Sequence, residues 1–241
     1  MAIKSILFNT EMVRAILDGR KSYTRRVIKP QPQSRLCYTY AWGNCGTWGY
    51  PSKTAYENWG DEYKLPEDIT DEELKRRWNP PYHTDDILYV RETWQCWRAH
   101  RYEATADIRF RAGGDDVRLQ FANGNTDSID RLDYDTFVHK WFSHNGEWKP
   151  SLFMPKVAAR IWLKVTDVRV ERLQDITSEQ ISREGVEVEY PHVLNGEEKR
   201  YAFSTLWNST IKKSDLDRYG WNASPWVWVI EFERCEKPEG V

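Results

Sequence analysis

Residues 19–30 read GRKSYTRRVIKP, and this stretch is where the predicted fold and function of the chain meet. A helix is predicted over residues 10–18 because its apolar residues recur at helical spacing, and Gly19 suits the left-handed position that ends a helix. Beyond the turn, residues 23–29 are predicted to form a strand whose side chains alternate between two faces. The whole stretch carries five cations. We therefore expect it to bind an anionic or strongly polar ligand.

The composition shows no global basic charge. The chain has 241 residues, a formal net charge of -2 and a sequence pI near 6.3, so any nucleic-acid binding must come from a local cationic patch. This length fits either one large domain or two small ones. The thirteen Trp and thirteen Tyr are predicted mainly to fill the core, since aromatic residues do so more often than they stack on ligands.

The four cysteines follow no CxxC spacing and are predicted to be reduced thiols. A zinc site built from Cys37, Cys45 and a histidine stays open as an alternative, although the spacing matches no usual ligand pattern. No metal and no other cofactor are predicted. The first residues lack the apolar core of a signal peptide, and no stretch approaches membrane-spanning length, so we expect a cytoplasmic protein without membrane contact.

Regular structure is predicted in pieces that are separated by long insertions. Strands are predicted at residues 5–8, 87–94, 160–171 and 226–232, and short helices at 71–78, 177–184 and 203–210. The insertions lie at about 33–81, 98–147 and 187–202. The second insertion is predicted to contain a hairpin across Gly113-Gly114. The pattern indicates an α+β fold, a single domain over residues 1–241 with a small mixed β-barrel and short flanking helices.

Several segments together are specific enough to indicate a family. They are ILF at 6–8, MVRAILDGRK at 12–21, TRR at 24–26, LYVRETW at 88–94, KPS at 149–151, MPK at 154–156, Arg160, DIT at 175–177, EGV at 184–186 and PWVWVIEF at 225–232. In this order they resemble the ASCH domains of the PUA-like superfamily, in particular the long form commonly encoded by phages and prophages. The three insertions carry little of the resemblance.

The resemblance implies a PUA-like β-barrel with a cleft beside the helix-to-strand turn that handles nucleic acid or a nucleoside. It also implies a chemistry, because small bacterial members are amidohydrolases that remove the acetyl group from N4-acetylcytidine. Their Lys, Thr and Glu fall on Lys21, Thr24 and Glu184, with Glu179 as the alternative for the acid. In such a reaction Thr24 would attack or orient water, Lys21 would act as the base and Glu184 would carry the proton to the leaving nitrogen.

The chain departs from these small enzymes in length and charge, and the additional pair Arg25-Arg26 favours a nucleotide or a polymer as the ligand. Glu92, at the end of an apolar strand, is predicted to pair with Arg26 or Arg91, or to accept hydrogen bonds from an exocyclic amine. Trp94 either stacks on a base or packs in the core. The residues predicted to contact the ligand are Arg20, Arg25, Arg26, Glu92, Trp94, Lys149, Ser151 and Arg160, with Lys156 as a further cation and Trp148 or Tyr23 as other stacking residues.

Three functions follow from these patterns. The first is a binding protein for RNA, or for a modified nucleoside or nucleotide, with a cationic cleft at residues 20–26. The second is an N4-acetylcytidine-type amidohydrolase that uses Lys21, Thr24 and Glu184. The third is a phage accessory or morphogenesis protein whose barrel is a scaffold for protein contacts.

Overall fold

The computed structural model describes residues 1–29, 31, 37–41, 45–49, 80–121, 133–142, 145–188 and 197–239, with the backbone alone for 37–41 and 45–49. The chain divides into two compact units. The first unit comprises Met1–Lys21, Asp85–Lys164 and Glu233–Val241, and the second comprises Ser22–Thr84 and Val165–Phe232.

The first unit begins with strand β1 (Ile3–Leu7) and helix α1 (Thr10–Leu17). Strand β1 pairs in parallel with β5 (Ile87–Arg91), and β5 pairs antiparallel with the start of β9 (Trp162–Arg172). The Asn9 side chain accepts a hydrogen bond from the Met12 backbone N–H and so caps α1. Gly19 takes a φ of +74°, which a residue without a Cβ adopts without strain, and the helix ends there.

A three-stranded antiparallel sheet also belongs to the first unit. Its strands are β6 (Trp94–His100), β7 (Thr105–Phe110) and β8 (Val117–Gln120), in that order. Alternate side chains of β7, including Ala106 and Ile108, are buried with helix α2 (Tyr134–Trp141) in one hydrophobic core. The opposite face of the sheet is polar, which matches the period of two in a strand.

The second unit contains β2 (Tyr23–Val27), which pairs antiparallel with β10 (Trp226–Cys235) so that Thr24 lies opposite Ile230. Its helices are α3 (Ser178–Arg183), α4 (Glu198–Thr210) and α5 (Leu216–Tyr219). The core is formed by Tyr23, Leu173, Ile176, Ile181, Phe203, Trp207, Val227 and Val229. A backbone hairpin of β3 (Cys37–Ala41) and β4 (Cys45–Gly49) lies in the same unit.

The mixed helix and strand content confirms the broad fold class that was predicted. The hairpin in the second insertion is confirmed, since β7 and β8 pair and both Gly113 and Gly114 take positive φ. The described strands form open sheets and no closed barrel, so the predicted small β-barrel is not confirmed. The strand predicted at 87–94 is confirmed for Ile87–Arg91, but its last part is wrong, because the chain leaves β5 after Arg91 and starts β6 at Trp94.

Other differences concern helices. Helix α4 begins at Glu198 rather than 203, and α2 and α5 were not predicted. The predicted helix at 71–78 lies outside the described residues. Within the parts of the chain that the structure describes, no helix combines the length and apolar character needed to cross a membrane.

Candidate functional site

The end of α1 places Lys21 and Arg20 in the first unit. The backbone N–H groups of both residues donate to the Ala15 carbonyl, at 2.8 Å from Arg20 and 3.0 Å from Lys21. Lys21 is 4 % exposed, and its Nζ lies 5.5 Å from the centroid of the Phe8 ring. The Arg20 side chain is 34 % exposed and pairs with Asp18 at 2.8 Å. The two neighbouring cations therefore differ sharply in their exposure.

Thr24 and Arg26 meet on one face of β2 in the second unit. Arg26 Nη1 donates to Thr24 Oγ1 at 2.9 Å and to the Arg25 carbonyl at 3.2 Å, and Thr24 is 1 % exposed. Burial of the guanidinium lowers the pKa of Arg26, although the charges of Tyr82 and Glu184 act in the opposite direction. Burial likewise raises the pKa of Tyr82, against the effect of Arg26. A desolvated cation thus lies beside a buried hydroxyl.

Arg25 was predicted to contact the ligand, but in the structure it is buried and pairs with carboxylates of the protein. Its side chain is 1 % exposed, with Nη1 donating to Glu184 Oε1 at 2.9 Å and Nη2 to Gln180 Oε1 at 2.9 Å. A further ion pair joins Nη2 to Glu171 Oε2 at 3.3 Å. Among the described residues its Nε–H is buried without an acceptor. Arg25 therefore holds internal carboxylates in position.

Helix α3 positions Glu184 by means of caps at both ends. Thr177 and Gln180 form a capping box, and the same Gln180 Oε1 that accepts from Arg25 accepts from the Thr177 backbone N–H at 3.1 Å. Glu184 is the C-cap residue, and Gly185 with a φ of +84° turns the chain away. The neighbouring Arg183 anchors α3, with Nε donating to Ser22 Oγ and Nη2 to Glu231 Oε1, each at 3.0 Å.

Glu92 is held by Arg160, and both predicted partners are wrong. Arg160 Nε and Nη2 donate to the two oxygens of Glu92, each at 2.9 Å, and the Arg160 guanidinium lies 4.0 Å from the centroid of the Phe110 ring. Arg91 instead donates to the carbonyls of Leu152 and Met154. Burial raises the pKa of Glu92, and Arg160 acts to lower it. The sequence does not indicate this pairing, because Glu92 and Arg160 are 68 residues apart.

Three other residues that were predicted to contact the ligand lie in the first unit, and their contacts there are with the protein itself. Trp94 is fully buried and packs against Phe137 and Trp141, as its alternative role in the core requires. Lys149 pairs with Glu147 at 3.0 Å and bonds to Trp94 through the backbone. Ser151 starts a short 3₁₀ turn.

The predicted residues thus separate into two groups. Thr24, Arg25, Arg26 and Glu184 are joined by hydrogen bonds, ion pairs and electrostatic interactions inside the second unit. Lys21, Glu92 and Arg160 belong to the first unit. The convergence of Lys21 with Thr24 and Glu184 stays a prediction. We call Thr24, Arg26, Tyr82 and Glu184 the Thr24 site.

Sequence reasoning missed Tyr82, Gln180 and Glu171. Gln180 had a usable signal, because Thr177 followed three residues later by Gln is a capping-box pattern at the start of a helix. Tyr82 follows two prolines in a polar segment and carries no comparable signal.

The site offers a hydroxyl, a carboxylate and a desolvated guanidinium, which together can bind a polar base or take part in acyl transfer.

In the described part of the chain, no group of three or more His, Cys, Asp or Glu is arranged to hold a metal ion. The side chains of Cys37 and Cys45, which the zinc alternative would use, lie outside the description. Burial, followed by the charge of Asp107, raises the pKa of Cys96 to about 12, so this thiol is protonated at neutral pH.

The chain was compared with family models, with curated proteins and with solved structures, and no match was found in any of the three comparisons.

Proposed function

We propose that this protein binds a nucleoside, either free or as part of a nucleic acid, at the Thr24 site. The observation that carries the proposal is the contact between the buried Thr24 hydroxyl and Arg26, whose guanidinium is desolvated enough to lower its pKa. A desolvated charge is costly unless polar groups surround it. A ligand that brings further acceptors to Arg26 would be stabilised at this position.

The donors and acceptors of the site favour a cytosine-like base. The guanidinium fork of Arg26 suits neighbouring acceptors, such as the O2 and N3 atoms of cytosine. A carboxylate accepts from the exocyclic amino group of the same base, and Glu184 is held by Arg25 with its orientation defined. Such a site would discriminate against uracil, whose N3–H and O4 reverse the pattern of donor and acceptor.

Binding of cytidine is therefore expected to depend on Arg26. In calorimetric titrations at fixed salt, Arg26→Met should weaken cytidine binding by about 10- to 100-fold, because a charge-assisted hydrogen bond is lost. Uridine should bind the unaltered protein more weakly than cytidine does. Arg218→Met is the control, since Arg218 is an exposed arginine of the same unit that contacts the Tyr219 ring. Equal affinity of the Arg26 and Arg218 variants would overturn the proposal.

A second candidate function is hydrolysis of an N4-acyl group on the bound base. It is favoured by two observations on Arg26, which donates a hydrogen bond to the buried Thr24 hydroxyl and whose pKa is also affected by the charge of the buried Glu184 carboxylate. Thr24 would attack the acyl carbon or orient a water that does so, and the Glu184 carboxylate would take the proton of the attacking hydroxyl and deliver it to the departing N4 nitrogen. Where Thr24 itself attacks, a water then hydrolyses the Thr24 ester and releases acetate.

Incubation with N4-acetylcytidine should then release cytidine and acetate, as measured by mass spectrometry. Thr24→Val keeps the shape of the side chain and removes the hydroxyl, so turnover should fall by at least about 100-fold. Lys21→Ala tests the predicted base in the same assay. Absence of product from the unaltered protein at high concentration would remove this second candidate and leave the binding proposal standing.

A further inference from the structure

A stack of two arginines on one tryptophan lies in the first unit, on the polar face of the sheet β6-β7-β8. The guanidinium carbons of Arg98 and Arg109 lie 4.2 and 4.1 Å from the centroid of the Trp97 ring. The register of β6 and β7 shifts between Cys96 and Arg98, so Trp97 is the extra residue of a β-bulge. The bulge re-aims the indole so that it contacts both arginines.

Neither guanidinium of this stack meets a carboxylate in the described part of the chain. Asp107 lies opposite Arg98 in the ladder, but its two oxygens are taken by Arg118 at 2.7 and 3.1 Å. The buried Trp97 Nε1–H also has no acceptor there. Among the residues that the structure describes, the two guanidinium groups therefore have no carboxylate to balance their positive charges.

The two cations are held close together although like charges repel. Each guanidinium lies against the same ring, so their central carbons are separated by at most about 8 Å, the combined reach of two cation–π contacts. An anion beside the ring would relieve the repulsion. Arginine forks fit phosphate oxygens, and stacking orients the forks before the ligand arrives.

We propose that Arg98, Trp97 and Arg109 form a phosphate-binding site for the backbone of single-stranded nucleic acid. The choice of nucleic acid as the phosphate carrier rests on the proposed function. A base read by its pairing edge at the Thr24 site must be unpaired, and this requires a single strand. Successive phosphates of one strand supply two anions to the two arginines. The protein would then act on a base within a polymer.

The number of these phosphate contacts is measured by how steeply the affinity for RNA falls as the salt concentration rises. Fluorescence anisotropy with a labelled single-stranded RNA of about 12 nucleotides gives the dissociation constant at salt concentrations from about 50 to about 200 mM. Each phosphate contact on a single strand contributes about 0.7 to the slope of log K against log salt. The double variant Arg98→Gln, Arg109→Gln should reduce the magnitude of the slope by about 1.4.

The matched control removes two positive charges elsewhere in the same unit. Arg14→Gln, Lys164→Gln alters exposed cations that pair with Glu11 and Asp85, and it should leave the slope unchanged. If the double variant does not fold, Arg98→Gln alone, at an exposed position, should reduce the slope by about 0.7. Two further ligands are titrated at the same ionic strength. A DNA strand of the same sequence tests whether binding depends on the sugar, and inorganic pyrophosphate tests whether free phosphate binds in place of the nucleic-acid backbone.

Each outcome decides between the proposals. A slope unaffected by Arg98 and Arg109, or RNA binding absent from the unaltered protein, overturns the phosphate site. The proposal is also overturned if pyrophosphate displaces the RNA with the same affinity per phosphate, because the site would then bind a free anion as well as it binds a nucleic-acid backbone. Cytidine binding in calorimetry should persist in the Arg98, Arg109 variant, so failure of the phosphate site is distinguishable from failure of the Thr24 site.

Discussion

Arg25→Met is expected to lower the free energy of unfolding by about 3 to 5 kcal/mol, because it breaks the buried ion pair between Arg25 and the Glu184 carboxylate. The substitution also removes the hydrogen bond from Arg25 to Gln180 and an ion pair with Glu171. Methionine keeps the length and apolar character of the arginine stem, so the change reports chiefly on charge. Equilibrium unfolding in urea, monitored by circular dichroism, measures the effect.

Arg20→Met is the control for this experiment. Arg20 also pairs with a carboxylate, Asp18, at 2.8 Å, but the pair is exposed and should contribute less than about 1 kcal/mol. The double variant Arg25→Met, Glu184→Leu should recover stability, since it replaces the broken ion pair by apolar contacts. If the Arg25 and Arg20 variants lose equal stability, the description of Arg25 as an internal anchor is wrong.

Arg160→Met is expected to destabilise the first unit by a similar amount, about 3 to 5 kcal/mol at neutral pH. Glu92 is 1 % exposed and receives two hydrogen bonds from Arg160, so the variant leaves a buried carboxylate unpaired. The loss also includes the contact of Arg160 with the Phe110 ring. Unfolding in urea at several pH values measures the effect.

The pH dependence of this second variant has a definite sign. Burial already raises the pKa of Glu92, and removal of Arg160 takes away the interaction that opposes burial. A carboxyl group whose pKa is raised by folding stabilises the folded state below its unfolded pKa, and this contribution is lost as the pH rises through the folded value. The cost of Arg160→Met should therefore shrink as the pH falls towards about 4.

The exposed pair of Lys164 and Asp85 provides the control for Arg160, and Lys164→Met should leave the free energy of unfolding nearly unchanged at every pH tested. A cost of Arg160→Met that is constant over this pH range would mean that the Glu92 carboxyl does not determine it.

Local signals in the sequence predicted much of the secondary structure. Asn9, Gly19, Thr177 and Gly185 mark the ends of α1 and α3, and each acts through contacts within a few residues. The alternation of residues predicted β9 in the same way, and β10 lies at the strand predicted for residues 226–232. Such signals are readable because the interactions that produce them are close in sequence.

The interactions of the candidate site were less predictable because they join distant segments. The turn at residues 20–26 was singled out correctly as a concentration of charge, yet Arg25 and Arg26 proved to be buried to different degrees and bonded to different groups. Glu92 was expected to pair with Arg26 or Arg91, and its partner is Arg160. Spacing along a chain cannot predict which of several cations reaches a buried acid.

The stack around Trp97 was missed for a different reason. Arginine and tryptophan in a polar insertion usually indicate an exposed strand, and no periodicity marks the bulge that turns the indole towards Arg98 and Arg109. The register of β6 and β7 was needed to see that these side chains meet.

The central claim is that a cytosine-like base is bound at the Thr24 site, and nitrogen-15 NMR of the arginine side chains tests it most directly. Cytidine should shift the Nε–H resonance of Arg26, assigned by its disappearance in Arg26→Lys, while the resonances of Arg98 and Arg109 stay in place. Uridine at the same concentration should produce a smaller shift. A cytidine titration that leaves the Arg26 resonance unmoved at saturating concentrations would contradict the claim.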